Sequence, residues 1–469
     1  MNIKDNGIDK NASIVIVGAG PAGLSTAWFL SKNGFHNVTV LEKLGRIGGL
    51  CKSLTVDGRS FDIGANYVTW AYKETLAIAK EVGGETYPEK PYTSLKVNND
   101  LSTKPEFRSF KKAILYNYYT NKKVSIVSFL IAACRYIFIR WKLSSIIDAP
   151  GYLDNIHNHK DICVSFKDWL TNNNLMALSA MFQFPITIMG YGQLEAIATP
   201  YALRYMSLRT VIPMVFGSRL LNLFIGSWPR RFTFGFQRLW QRVAWRTNVR
   251  LNVNITKIER TNSNIKIEME YPEQELNDLK IAKTTKNYDY LILACPLTPD
   301  VLKKLNLERN EDEVNVSSKI QINAYCMTTF WIDNMQMPQP IAPVIPIPNR
   351  GIPWAIARQF QDSNNMFTQF YTRPSDGQSD DEVVEKARKL VELLGGKIND
   401  SQARWNTFDK FTYFQHFSVS DISNGVYNTL AQMQGKNRTY YVGGATDFEL
   451  IEPIVNHSKY IIDKHFLAS

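Results

Sequence analysis

The chain has 469 residues, 45% hydrophobic and 21% charged, the balance of a globular protein with enough length for two domains. Its 54 Lys and Arg outnumber 43 Asp and Glu, a net charge of +11 that suits an anionic partner, an anionic membrane surface, or simply a solubilising basic surface. Five scattered cysteines (Cys51, Cys134, Cys163, Cys295, Cys326) without a C-x-x-C pair argue against a disulfide framework and against zinc. No metal is therefore expected, and a reducing, cytoplasmic compartment is.

The first twelve residues are polar and lack the apolar core of a signal peptide. Ser13-Ile14-Val15-Ile16-Val17 then reads as a buried parallel strand. Gly18-Ala19-Gly20-Pro21-Ala22-Gly23 follows at once. Leu24 to Asn33 reads as a helix stopped by Gly34, and Val38 to Leu41 as a second strand ending on Glu42. This is a βαβ unit carrying G-x-G-x-x-G. Gly18 permits the tight turn, Gly20 admits a pyrophosphate to the backbone, and Gly23 lets helix and strand pack closely. The helix N-terminus offers free N–H groups to phosphate, and Glu42 sits where an acid bonds a ribose hydroxyl. A dinucleotide site is expected.

Lys43-Leu44-Gly45-Arg46-Ile47-Gly48-Gly49-Leu50 suits a loop passing close to phosphates, with Arg46 as counter-charge. Asp57-Gly58-Arg59 reads as a hairpin turn. Beyond it, Phe61-Asp62-Ile63-Gly64-Ala65-Asn66-Tyr67 again leaves room for something flat against the backbone.

The glycine fingerprint, the acid at the end of the second strand, the Arg-x-Gly-Gly element and the Asp-x-Gly-Ala element together resemble the flavin amine oxidase superfamily. That group spans amine oxidases, protoporphyrinogen oxidase, phytoene desaturases and fatty-acid double-bond isomerases. The resemblance implies FAD as the dinucleotide. It implies an α/β fold: a Rossmann-like FAD-binding domain with a discontinuous substrate domain of mixed sheet and helical cap, in the style of p-hydroxybenzoate hydroxylase and the amine oxidases. By it, Glu42 holds the adenosine ribose, Arg46 lies on the phosphate side, Gly64, Ala65, Asn66 and Tyr67 lie along the isoalloxazine, and Lys43, Gly48, Gly49 and Leu50 also belong to the cofactor site.

From about residue 91 the pattern changes, and Tyr92 to Val97 suggests a strand of a second domain. Val124 to Ile139 is strongly apolar, holds Arg135, and is flanked by Lys122, Lys123, Arg140 and Lys142. It is short for a membrane span. It suits a helix lying on a membrane surface, one lining an apolar tunnel, or one buried in a cap domain. His157 and His159 read as surface residues. Ile188-Met189-Gly190-Tyr191-Gly192-Gln193-Leu194 and Pro200-Tyr201-Ala202-Leu203-Arg204-Tyr205 resemble the substrate domain of the bacterial polyunsaturated fatty acid isomerases. A second apolar, basic-ended stretch runs from Val211 to Arg231.

Phe234 to Trp240 begins a helix returning to the first domain, and Asn248 to Arg260 reads as a strand pair, in which the resemblance puts adenine against the backbone of Ile255. Residues 261 to 288 alternate like an antiparallel ribbon. Tyr290 to Pro296 is a buried strand, and Ile320 to Ile332 a long strand of the substrate domain. Prolines from Pro338 to Pro348 mark an irregular loop. A hairpin is expected around Asp362-Ser363-Asn364-Asn365. Ser379-Asp380-Asp381-Glu382 is a capping box. Tyr413-Phe414-Gln415-His416, Met433-Gln434-Gly435, Tyr441-Val442-Gly443 and His457-Ser458-Lys459 follow the order of elements in those isomerases, with Gln415 in place of a proline. The last helix, with Pro453 in its first turn, is expected to aim its N-terminus at the flavin, with Gly443, Gly444 and Ile454 at the cofactor.

The expected domains are 1–90, 235–300 and 405–469 for FAD, and 91–234 with 301–404 for substrate. No second G-x-G-x-x-G is present, so no nicotinamide domain is visible. By resemblance the flavin N5 does the chemistry, and Tyr191 and His416 are the side-chain candidates; His416 reads equally as a structural hydrogen-bonding group. Three functions are open. They are double-bond isomerisation of a lipophilic substrate, amine oxidation or desaturation, and lipid escort on the same fold. The isomerases hold the substrate carboxylate with an arginine early in the substrate domain, and no arginine stands in the matching region here. With no cysteine beside Gly443 or Gly444, FAD is expected to be non-covalent. Peripheral membrane contact is compatible with the sequence, and no nucleic-acid partner is expected.

Overall fold

The computed structural model describes residues 7–56, 58–89, 93–120, 122–152, 155–216, 229–261, 263–275, 278–335, 337–339, 341–344, 350–358 and 366–467. The expected turn at 362–365, Asp57, Pro346, Pro348 and most of the second apolar stretch (217–228) lie outside the described residues.

A five-stranded parallel sheet gathers pieces from across the chain. Its order is Thr439–Tyr441, Tyr290–Leu293, Ile14–Val17, Val38–Leu41, Asn248–Arg250. Ile14–Val17 is central and buried at every position, which is why its sequence is unbroken Ile and Val rather than alternating. Helix Pro21–Lys32 begins with Pro at its first position, where no N–H is needed, and Gly34 turns the chain out of it at φ +86°. The C-terminal helix Ile451–His465 packs along it, and Ser458 Oγ donates to the Ala22 carbonyl at 3.3 Å. The ribbon expected over 261–288 is two strands, Ile265–Glu275 and Asp278–Tyr288.

The second sheet is antiparallel and six-stranded, built around Gln321–Asp333. One finding departs from the expected division. Thr407–His416, reached through the segment assigned to the FAD side, pairs with Gln321–Asp333 from Thr329↔Thr407 to Gln321↔His416. The chain crosses to the parallel sheet only afterwards, at Thr439–Tyr441. Long-range pairing of this kind has no local sequence signature. The capping box at Ser379 is present, with both reciprocal bonds to Glu382.

Helices Ile126–Lys142, Phe166–Asn172, Ser179–Ile188, Thr199–Tyr205 and Leu208–Phe216 form a cap. Their buried side chains share one core with Val15, Val17 and Leu293 of the parallel sheet. Cap and parallel sheet are therefore packed as one body.

Candidate active site

Three separated backbone segments meet at the N-terminus of helix Pro21–Lys32. Gly18 sits at φ +111°, and a Cβ there would come within 2.9 Å of the Ala294 carbonyl oxygen. A Cβ on Gly23 would lie 1.9 Å from the Gly18 carbonyl oxygen, so only glycine fits. Gly20 faces Gly49 across the turn: a Cβ on Gly20 would be 3.7 Å from the Gly49 Cα. Gly48 N donates to the Ala19 carbonyl at 2.9 Å, fastening the two loops together. Gly443 closes the third side, its Cβ position 4.0 Å from the Ala22 methyl.

The helix cap at Gly20 has no side-chain partner, and among the described residues nothing accepts from the N–H groups of Ala22 or Gly23. Such a terminus, with free N–H groups and no side chain in the way, is an anion site. Glu42 Oε2 accepts from Ala19 N and Oε1 from Leu44 N, both at 2.8 Å, which orients the carboxylate beside that turn. Arg46 is half-buried and donates to the Gly49 carbonyl at 2.9 Å, while Lys43 is exposed. Val253 N donates to the Glu42 carbonyl at 2.9 Å, which brings the strand carrying Ile255 to the same corner. Ile255 is buried and lies at a register shift in its ladder. The residues present fit an FAD molecule: a glycine cradle for pyrophosphate, an acid for ribose, and a cation nearby.

Asp62 explains why the Asp-x-Gly-Ala element needs its acid. Its Oδ1 accepts from Ser53 Oγ at 2.6 Å and from Phe236 N at 2.8 Å, capping helix Phe236–Ala244 and pinning the exit to Gly64 and Ala65. Burial pushes its carboxyl up to about 6. Gly64 lies flat on the Leu50 carbonyl, with no room for a side chain between them. Asn66 Nδ2 donates to the Tyr371 hydroxyl at 3.1 Å. Gly444 packs on the Glu449 side chain, and Ile454 is buried one turn into the last helix.

Beyond this cradle opens a cavity of about 670 Å³. Tyr67, Trp70, Tyr72, Leu450 and Pro453 line the end nearest the cofactor segments, and Phe110, Ile114, Met181, Phe184, Pro213 and Met214 the cap end. Three of the charged groups that line it are engaged. Arg204 is bidentate to buried Asp447, Asp148 pairs with Arg140, and Glu452 accepts from Glu74 N, Thr75 N and Thr75 Oγ1. Lys73 and Arg209 line the cavity without a carboxylate partner among the described residues, and Arg209 stacks 5.2 Å from the Trp70 ring.

Tyr191 and His416 lie off this lining. Tyr191 is buried among Tyr205, Tyr413, Phe414 and Phe448, and its hydroxyl donates to the Glu449 carbonyl at 3.1 Å. His416 stacks on Phe414 with centroids 4.4 Å apart, and its Nδ1 is 2.7 Å from the Phe414 carbonyl. Burial holds its pKa below the usual histidine value, which keeps the ring neutral. Sequence reasoning missed Asp447 and Glu452, whose partners are distant in sequence, and Arg209, which no motif marks.

A family model described as flavin containing amine oxidoreductase matches residues 21–447. Putrescine oxidase of Kocuria rosea is 46% identical over 74 residues, 16% of this chain and 15% of that protein. A polyenoic fatty acid isomerase of Ptilota filicina is 35% identical over 75 residues, 16% of this chain and 15% of that protein. The matched stretches thus span 15% of these relatives' lengths. Among solved structures, the CLA-producing fatty acid isomerase from P. acnes superposes with a TM-score of 0.79 at 21% identity, over 98% of this chain and 100% of that one.

Proposed function

Because the chain belongs to the flavin-containing amine oxidoreductase family, and is an FAD-dependent enzyme on that ground, we propose that it shifts a double bond within a lipophilic, unsaturated substrate. The observation that carries this reading is the continuity of cradle and cavity: Tyr67, two residues beyond Ala65, lines an apolar space of about 670 Å³. The chemistry that FAD supplies when bound is acceptance of a hydride from an allylic carbon and its return two carbons away, so one C–H bond breaks, another forms, and no oxidant is consumed.

The chain's own residues do the rest. Gly18, Gly20, Gly23 and Gly49 hold the cofactor through backbone, without covalent attachment. Phe110, Ile114, Phe184 and Met214 give an apolar chain its contacts and keep water from the reacting carbons. Tyr67 and Tyr205, with hydroxyl oxygens 3.1 Å apart, set the wall nearest the cradle. Arg209 and Lys73 supply positive charge for a carboxylate headgroup from elements other than the early substrate-domain arginine of the isomerases.

Amine oxidation is the second reading: of the acids that line the cavity, Asp148 and Glu452 are already bonded, which leaves Glu74 to meet a substrate ammonium. The test is to offer the purified yellow protein a free polyunsaturated fatty acid and, separately, a diamine. Conjugated-diene absorbance without peroxide is expected from the first and nothing from the second. Peroxide formed in step with amine loss would overturn the reading.

A further inference from the structure

Helix Ile126–Lys142 is apolar on both faces, and only one of them is packed. Phe129, Ala132, Ala133, Tyr136 and Arg140 face inward. Tyr136 donates to the Met206 carbonyl at 2.6 Å, and Arg140 Nε to the Leu203 carbonyl at 3.0 Å. The inner face also packs on Leu208–Phe216, which forms part of the cavity wall. The outer stripe runs through Val127, Ile131, Cys134, Phe138 and Trp141, spacings of four and three that share one side of a helix. Val127 is 68% exposed, Ile131 65% and Trp141 62%.

The charge around this stripe has one sign. Residues 107–147 contain eight Lys and Arg and no Asp or Glu. Arg108 pairs with Glu106 and Arg140 with Asp148. Lys111, Lys112, Lys122, Lys123, Arg135 and Lys142 have no acidic partner among the described residues.

We propose that this face docks on an anionic lipid bilayer, with the helix lying in the plane of the headgroups. Its 17 residues make a rod of about 25 Å. Among the described residues no helix is long and apolar enough to cross a membrane. An interfacial helix instead buries one apolar stripe with aromatic residues at headgroup depth and cations beside it, which is the composition found here. A second copy of the chain fits this face poorly, because a two-fold contact would bring the same cations against each other. That the docked enzyme draws substrate from the bilayer rests on the lipid reading above; docking itself does not.

The test is co-sedimentation of the full flavin-loaded chain with vesicles of phosphatidylcholine alone or mixed with phosphatidylglycerol, so that binding is read apart from turnover. Binding to the mixed vesicles, weakened by salt and absent from the neutral ones, is expected. Lys122→Glu with Lys123→Glu should weaken it by about tenfold or more, at about 1 kcal/mol per basic residue, and separately Val127→Glu with Ile131→Glu should weaken it by about tenfold or more through the lost apolar burial. Both pairs are exposed, so the flavin spectrum checks that folding is unchanged. Binding that fails in the wild type, or survives both double variants, overturns the proposal. So does a wild-type dimer that Val127→Glu with Ile131→Glu disperses.

Discussion

Arg204 Nη2 donates to both carboxylate oxygens of Asp447, at 2.8 and 2.7 Å, with both side chains almost wholly buried. The pair joins cap helix Thr199–Tyr205 to the turn that follows Gly443 and Gly444. Gly151 N adds a third bond to the carboxylate at 2.8 Å, and Arg204 Nη1 donates to the Ala149 carbonyl at 2.9 Å. A buried pair is costly to break, because the survivor keeps its desolvation penalty. Arg204→Met should cost about 3–5 kcal/mol. The loss is read as a lower denaturation midpoint and a flavin released at lower denaturant than in the wild type.

The two glycines at the dinucleotide turn should fail in different ways. At Gly20 a Cβ meets only ordinary contact, 3.7 Å from Gly49, but it enters the space assigned to pyrophosphate. Gly20→Ala should yield folded, colourless protein. At Gly23 a Cβ would overlap the Gly18 carbonyl at 1.9 Å, so Gly23→Ala should reduce soluble yield itself. Circular dichroism and the visible spectrum separate the two outcomes.

Glu449 should give the fold a pH dependence. Burial raises its carboxyl from 4.5 to about 7, although Gln415 N donates to it at 2.5 Å. A raised folded-state pKa means that the stability it confers is full below 4.5 and is lost as pH rises through about 7. The loss is on the order of 3 kcal/mol. Asp62, raised to about 6, acts in the same direction. Glu449→Gln keeps an acceptor for Gln415 and removes the charge. Its melting temperature should match the wild type near pH 5 and exceed it near pH 8. Equal temperatures at both values would contradict the assignment.

Arg209 should matter for acids and not for esters. Arg209→Gln is expected to raise KM for a free fatty acid about tenfold, the loss of one bond to a charged group, and to leave its methyl ester unaffected. The same rise for both would mean that the stack on Trp70, and not the charge, is what Arg209 provides.

Local chemistry was legible in the sequence, and distant pairing was not. Residues 13–42 could be read because strand, turn, helix and acid are adjacent, and the tightest glycine contact, Gly23 on the Gly18 carbonyl, lies within that unit. The helix expected over Val124–Ile139 is Ile126–Lys142, since its run of apolar residues is itself the signal. Arg204 stood inside a quoted motif, yet its partner is 243 residues away, and no spacing points to Asp447. Thr407–His416 joins the antiparallel sheet because its partners lie in Gln321–Asp333, a choice made by long-range register. The cavity has the same origin: its lining runs from Tyr67 to Asn456.

The most direct measurement is the number of product molecules formed per flavin when oxygen and every other electron acceptor are removed. Electron return within the substrate predicts many turnovers at an undiminished rate, with the flavin oxidised again at the end. Reaction that halts at one product per flavin, with the yellow colour bleached until air is admitted, would contradict it.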